Sequence, residues 1–384
     1  MHALWLAIRL PRLSLEVLSP PDRSTRGQAS ATEATPRSKV FGGRAEREAL
    51  KALCAVAYQV SGTVTVQPRA PEPGMHTIWL EIGASLRLFN GLEGLLAKLT
   101  ANLKRLGYSQ RIGVAPTLEG ASVLADAGLP PCRTPQELFA ALKPLPAAHL
   151  ALPLDVLGAL EGSGLARIGQ VLELPLDSVA MRFGYAVTDY FGRLTGRLDD
   201  PRRWYRLPER YRRRFEFDGG IESTETLLFP LRRMLVEFQE YLVARDTGVQ
   251  EFRLECEHED ASATVLGVGM GSASRDATHF QVLLRERFER VEFPGPVHAL
   301  TLVADHFISP RVRQLDFLNP RGSEDEEWSA LLDRLRARLG SETVRSLGLA
   351  ADYRPEKSWC ALSRGADVVA PEGAPTGAPT FYPA

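Results

Sequence analysis

Between residues 202 and 215 the chain reads RRWYRLPERYRRRF, with seven arginines, four aromatics and one glutamate in fourteen residues. Guanidinium forks match phosphate oxygens two at a time, and rings between them can stack on sugar or base. A charge run is more often a solvated face. This one joins two folded patterns and alternates with rings, so Arg202, Arg203, Arg206, Arg212, Arg213 and Arg214 are candidate nucleic-acid contacts. A second candidate is Gly164-Leu165-Ala166-Arg167-Ile168-Gly169, between two helical patterns, as in a helix–hairpin–helix. Gly164 and Gly169 would let backbone N–H groups approach a phosphate beside a helix N-terminus, with Arg167 between them. A plain helical turn fits the same six residues equally well.

Other reactive combinations are weaker. Asp305-His306 near Ser309 lacks a third group to activate a nucleophile. Cys256 and His258 share a strand without further ligands, so no metal site is expected. The glycines of 267–271 (GVGMG) lack the lysine and helix opening of a phosphate loop, and no cofactor is expected. Cys54, Cys132, Cys256 and Cys360 form no CxxC pair and read as reduced thiols of a cytoplasmic protein.

The elements that must position these residues follow from composition and period. The 384 residues are 44% apolar and 24% charged with a formal net charge of −1, an ordinary multidomain globular balance. No apolar run reaches the roughly 18 residues of a membrane span. Arg9 and Arg12 interrupt the N-terminal apolar stretch, which argues against a signal peptide and leaves residues 3–10 as a buried strand. Residues 20–43 are polar and aperiodic and read as a flexible linker. Helices at 46–58 and 92–106 alternate with strands at 63–67, 77–82 and 110–115, an α/β layer. Residues 150–200 read as short helices joined by glycines. Residues 214–308 read as βαββαβ, with strands at 214–221, 251–257, 263–270 and 297–307 and helices at 225–244 and 276–288. A last helix is expected from a capping box at Ser323 and Glu326, with Trp328, Leu332, Leu335 and Leu339 as its apolar stripe. The Pro/Gly-rich stretch after Ala370 reads as disordered.

This order of parts resembles a Y-family DNA polymerase, with palm, thumb, basic linker and little finger, and more narrowly the inactive ImuB group associated with the bacterial mutasome. The motifs that carry the resemblance are LWLAIRLPRLSLEVL at 4–18, LEIGASLRLFNGLEGLL at 80–96, RIGVAPT at 111–117 and GLARIGQVLELP at 164–175 with MRFG at 181–184. IESTETLLFPLRRML at 221–235, QLDFL at 314–318 and ADYRPEKSW at 351–359 complete the set. The resemblance implies a mixed α/β and α+β multidomain fold. Its parts would be a palm-like domain at 1–19 and 44–149, a linker at 20–43 in place of fingers, a thumb at 150–200 and a basic linker at 201–213. A little-finger-like domain at 214–309, a clamp-binding peptide at 310–322 and a C-terminal helix and tail at 323–384 would follow.

Active members of that family hold two Mg²⁺ ions about 4 Å apart on carboxylates, one from the first strand and an Asp-Glu pair from a later one. Here the first strand offers Arg9, and the pair aligns with His76 and Thr77. Glu81 is the only nearby acid on that strand, and Thr117-Leu118 stands where the family has Asn-Lys. The resemblance therefore implies a scaffold without catalysis, supporting error-prone translesion synthesis and DNA repair. Its partners would be DNA, the β sliding clamp, an ImuA-type RecA-like protein and an error-prone replicative-type polymerase, at the nucleoid. Gln314, Leu315, Asp316, Phe317 and Leu318 fit a clamp peptide, a polar glutamine subsite followed by apolar anchors, bracketed by Pro310 and Pro320. The alternatives are an active polymerase using other acids, or a plain helix–hairpin–helix DNA-binding protein whose QLDFL only packs the next helix.

Overall fold

The computed structural model describes residues 3–18, 39–66, 76–259, 262–309, 322–339, 343–344, 346–349, 354 and 358–362. In β1 (Trp5–Leu10) successive side chains enter opposite faces of one sheet. Leu6, Ile8 and Leu10 join one buried cluster and Ala7 another, so the strand is covered on both sides. The short helix α1 (Leu13–Leu18) follows, then α2 (Lys39–Tyr58), β2 (Val64–Val66), β3 (His76–Glu81), α3 (Leu92–Leu106), β4 (Arg111–Ala115) and α4 (Leu118–Ala127). The sheet order is β2-β3-β1-β4, and every pairing is antiparallel. The expected α/β layer is thus a mixed unit with an antiparallel sheet, because α3 carries the chain across β1 rather than to a neighbouring strand. Leu53, Val56, Leu95, Leu99 and Leu103 of α2 and α3 cover one face. α4 covers the other, and Gly113 permits it: a Cβ there would lie 2.1 Å from the Ala121 carbonyl oxygen.

α2 begins at Lys39, so residues 39–43, read as linker, have helical backbone. Gly42 and Gly43 weaken the local helix signal, but burial of Ala49, Leu53 and Val56 carries the helix. Next come α5 (Pro135–Leu142), α6 (Leu154–Gly162), α7 (Ile168–Leu172), α8 (Leu176–Phe183) and α9 (Tyr185–Thr195). Leu138 and Leu142 of α5 share one buried cluster with Leu160, Ile168, Val171, Tyr190 and Leu194.

The βαββαβ unit is present as β5 (Tyr211–Ile221), α10 (Thr224–Ala244), β6 (Val249–His258), β7 (Ala263–Ser274), α11 (Ala277–Phe288) and β8 (Val297–Ala304). Its antiparallel order is β5-β8-β6-β7, with both helices packed on one core cluster. β5 starts at Tyr211, three residues before the expected start. Tyr211, Arg213 and Phe215 point inward and Arg212 and Arg214 outward, and the run of arginines conceals that alternation in sequence. α12 (Gly322–Leu339) begins before Ser323, so the expected cap lies inside the helix. Its expected stripe is also corrected. Trp328 and Leu339 are exposed, and Asp333 and Ala337 face inward, because Asp333 accepts from the Gly271 amide at 2.7 Å on β7. An antiparallel pair, β9 (Ser346–Leu349) and β10 (Trp359–Leu362), was not anticipated. Among the described residues no helix is long and apolar enough to cross a membrane.

The two sheet units meet through α10. Glu240 is fully buried and accepts from Arg105 of α3 at 2.5 Å and from Gln59 at 2.7 Å. Glu237, also fully buried, accepts from Arg213 of β5 at 2.5 Å, with Arg233 beside it at 3.5 Å. Arg233 in turn lies 4.3 Å from the Tyr108 ring centroid and donates to the Glu16 carbonyl at 3.2 Å.

Candidate nucleic-acid interface

The register of β1 and β3 sets Arg9 opposite Thr77 and Leu10 opposite His76. Arg9 is buried, and its guanidinium makes a fork: Nε and Nη2 donate to the two carboxylate oxygens of Asp126 at 3.0 and 2.6 Å, and Nη1 donates to Thr77 Oγ1 at 2.7 Å. Strand alternation turns His76 the other way, where its ring nitrogen lies 3.4 Å from Glu46 on α2. Glu81 sits at the far end of β3 opposite Trp5, and its carboxylate accepts from the Leu4 and Gly83 amides at 3.3 and 2.9 Å. Two residues aligned with the family's acid pair therefore face opposite sides of the sheet, and the one acid on the strand caps its other end. Asp126, on α4, is the acid nearest Arg9, and nothing in the spacing marked it. A divalent cation there would have to displace a guanidinium from a bidentate pair. Among the described residues no cluster of three or more His, Cys, Asp or Glu could hold a metal ion. Thr117 is the N-cap of α4: its hydroxyl accepts from the Gly120 amide at 3.1 Å and donates to the Leu194 carbonyl at 2.9 Å.

The hairpin at 164–169 forms between α6 and α7 as a turn with Gly164 in the left-handed region at φ 76°. Its expected use of amides is corrected. The Ile168 and Gly169 amides donate to the Leu145 and Lys143 carbonyls at 2.9 and 3.2 Å, and the Arg167 amide donates to Gln170 Oε1 at 2.9 Å. The Gly164 amide donates to the Glu161 carbonyl at 2.9 Å. Gly169 is needed for close packing instead, since a Cβ would lie 2.8 Å from the Lys143 carbonyl oxygen. These donors are already satisfied, which leaves the exposed Arg167 side chain, 3.4 Å from the Pro144 carbonyl, as the hairpin's phosphate candidate.

The arginine run divides by partner. Arg202 holds Asp200 through two bonds at 2.7 and 2.8 Å, reaches Glu119 at 2.8 Å, and lies 5.0 Å from the Trp79 ring centroid. Burial pushes the Glu119 carboxyl up despite the opposing pull of Arg202. Arg213 is the buried partner of Glu237. Arg202 and Arg213 are thus corrected from phosphate contacts to structural cations. Arg214 pairs with Glu216 at 2.8 Å and with Glu257, and Arg212, 58% exposed, lies 3.5 Å from Glu255. Arg203 and Arg206 are exposed and make no salt bridge among the described residues. Their backbone is fixed: the Arg203 carbonyl accepts from Thr65 at 2.9 Å, the Tyr205 amide donates to the Val64 carbonyl at 2.7 Å, and the Tyr58 hydroxyl donates to the Tyr205 carbonyl. The peptide Gln314, Leu315, Asp316, Phe317 and Leu318 lies outside the described residues. Of the weaker candidates, Asp305 pairs with Arg253 at 2.9 Å, His258 is bonded to Thr264 at 2.8 Å, and burial raises the Cys256 thiol to about 12.

No family model matches the chain. Similar solved structures are polymerases of the Y-family type. A DinB family error-prone DNA polymerase from Sulfolobus solfataricus is 14% identical with a TM-score of 0.39, over 80% of this chain and 99% of that one. An insertion ternary complex of Dbh DNA polymerase is 15% identical with a TM-score of 0.37, over 79% and 99%. In sequence the chain is similar to Protein ImuB of Caulobacter vibrioides: 29% identity over 321 residues, 82% of this chain and 68% of the relative, in strains NA1000 and CB 15 alike. The resemblance to ImuB read from the motifs therefore stands.

Truncating one member of a buried ion pair leaves the other uncompensated, at about 3–5 kcal/mol. Arg9→Leu is expected to lose stability toward that range in urea unfolding, and adding Asp126→Leu to recover most of it; an additive double variant would contradict the pair. For nucleic acid, Arg203→Ala/Arg206→Ala is expected to flatten the log–log salt dependence of DNA affinity by about two, at roughly 0.9 per phosphate. Arg213→Ala should lower unfolding stability and leave that slope in place. Fluorescence anisotropy across a salt series checks both, and an unchanged slope in the double variant counts against these two side chains.

Proposed function

We propose that the chain is a non-catalytic, Y-family-like scaffold that binds DNA and a sliding clamp and supports error-prone synthesis across lesions by a partner polymerase. The observation that carries this reading is the Arg9 fork. A fixed cation is bonded to Asp126 and Thr77 on the strand where the resemblance implies a metal-binding carboxylate. The 29% identity to ImuB and the exposed Arg203 and Arg206 support the same reading. Its partners are the β sliding clamp, an ImuA-type RecA-like protein and an error-prone replicative-type polymerase that does the chemistry. Gln314–Leu318 is the clamp-binding peptide, and the protein works at the nucleoid in the cytoplasm.

Primer extension with Mg²⁺ or Mn²⁺ is expected to give no incorporation above a no-protein control. Robust incorporation that disappears in Glu81→Ala would overturn the non-catalytic reading. Immobilised sliding clamp is expected to capture the full chain near micromolar, about −8 kcal/mol, and to lose Gln314→Ala/Leu315→Ala below detection as two anchors go. Equal capture of both proteins would remove the clamp peptide from the proposal while leaving the polymerase result untouched.

A further inference from the structure

Trp204 stands out among the residues joining α9 to β5. One side of its indole stacks on Trp5 with centroids 6.1 Å apart and planes within 10°, yet the residue remains 52% exposed. A half-exposed indole offers a flat apolar face together with a polar N–H, the combination enriched where proteins make contacts. It is also held still. The residues on either side are bonded to the edge strand β2 through Thr65 and Val64, and Tyr58 holds the Tyr205 carbonyl. Tyr205 meets the Tyr58 ring edge-on at 6.1 Å, which anchors the backbone beneath. The ring therefore sits on a rigid support and loses little side-chain freedom when a ligand binds.

The surroundings are cationic. Arg203 precedes Trp204 and Arg206 follows two residues later, both exposed. An open groove of about 430 Å³ runs beside Arg203, lined by Thr65, Arg193, Asp200 and Arg202 among others. Arg202 already neutralises Asp200 in that groove, leaving Arg193 and Arg203 as its charge. A rigid flat ring with guanidinium groups along one extended backbone suits a polyanion with detachable flat faces. Duplex DNA hides its base faces in the stack, whereas a single strand presents them.

We propose that Trp204, backed by Trp5, is a stacking platform for an unpaired base of single-stranded DNA, with Arg203 and Arg206 on the flanking phosphates. This deepens the DNA-binding reading above and rests on it.

The full-length protein is titrated with a labelled single strand, the duplex of the same sequence, and an abasic strand of the same length. Stacking on an aromatic ring is worth about 1–3 kcal/mol per base, roughly 5- to 150-fold. The unmodified protein is expected to bind the base-bearing strand within that range more tightly than the abasic strand. Trp204→Ala should lose that discrimination and weaken single-strand binding correspondingly, with duplex affinity within about twofold. Trp204→Phe should keep most of it, which separates stacking from a general loss of structure. Equal affinity of the unmodified protein for base-bearing and abasic strands, or a Trp204→Ala protein that matches it on single strands, would overturn the platform and leave DNA binding intact. No salt-dependent binding of any strand by the unmodified protein would overturn both readings.

Discussion

Two carboxylates on α10 decide how the halves of the molecule meet. Glu237 and Glu240 are both fully buried, and each would cost several kcal/mol to desolvate alone. Glu240 is matched by Arg105 and Gln59 from the N-terminal unit, and Gln59 is itself held by Asn102 at 2.8 Å. Glu237 is matched by Arg213 from β5 and by Arg233, which reaches back to Tyr108 and the Glu16 carbonyl. Burial, with the charge of Glu237 adding to it, holds the Tyr108 hydroxyl in its protonated form well above the usual tyrosine range. Moving either unit away would strand a buried acid. The fifteen-residue connection at 196–210 is consequently fixed at both ends, by α9 and by β5, and its middle is bonded along β2.

The same logic of matched charge explains the N-terminal sheet. A metal-binding carboxylate pair needs cations to be stable, and an apo site leaves like charges facing each other. Arg9 reverses this arrangement: a permanent cation from the protein takes one helix acid, Asp126, and one hydroxyl, Thr77. The fork ties β1, β3 and α4 together at the edge of the cluster formed by Ala7, Trp79 and Leu118. Trp79 reinforces that packing, its indole N–H bonded to Ser122 Oγ at 2.8 Å and to the Leu118 carbonyl at 3.0 Å. Position 9 thus ties two strands and a helix together through one guanidinium.

Periodic elements were legible because burial writes a period into the chain. The helix at 92–106 is found with the expected bounds, and Leu92, Leu95, Leu99 and Leu103 are the buried side. The strands of both four-stranded sheets were readable, with ends displaced by a few residues. What escaped was everything set by partners distant in sequence. Asp126 is 117 residues from Arg9 and Glu119 is 83 from Arg202, and no local pattern links them. Glu237 was within reach: it lies three residues after Met234 and four before Tyr241, on the buried side of α10, and an acid on an apolar face demands a cation. α12 failed for the opposite reason. Its leucines suggest an apolar stripe, but Asp333 caps the Gly271 amide at the sheet edge and turns the helix so that Trp328 faces solvent.

Counting arginines overstated the basic surface, and strand alternation explains by how much. Once β5 begins at Tyr211, every second residue must point toward α10, and Arg213 is one of them. Those pointing outward meet glutamates of β6, reached across β8, and of β5 itself. Arg212 lies near Glu255, Arg253 bridges Glu255 and Asp305, and Arg214 bridges Glu216 and Glu257. The open face of the C-terminal sheet is therefore largely self-neutralised, and a phosphate there would have to displace a carboxylate already in place. The short stretch pinned to β2 differs. Arg203 and Arg206 have backbone bonds to hold them and no carboxylate salt bridge among the described residues. Within the run, the arginines left without a carboxylate partner among the described residues are therefore the two that flank Trp204 in the Trp5–Trp204 stack.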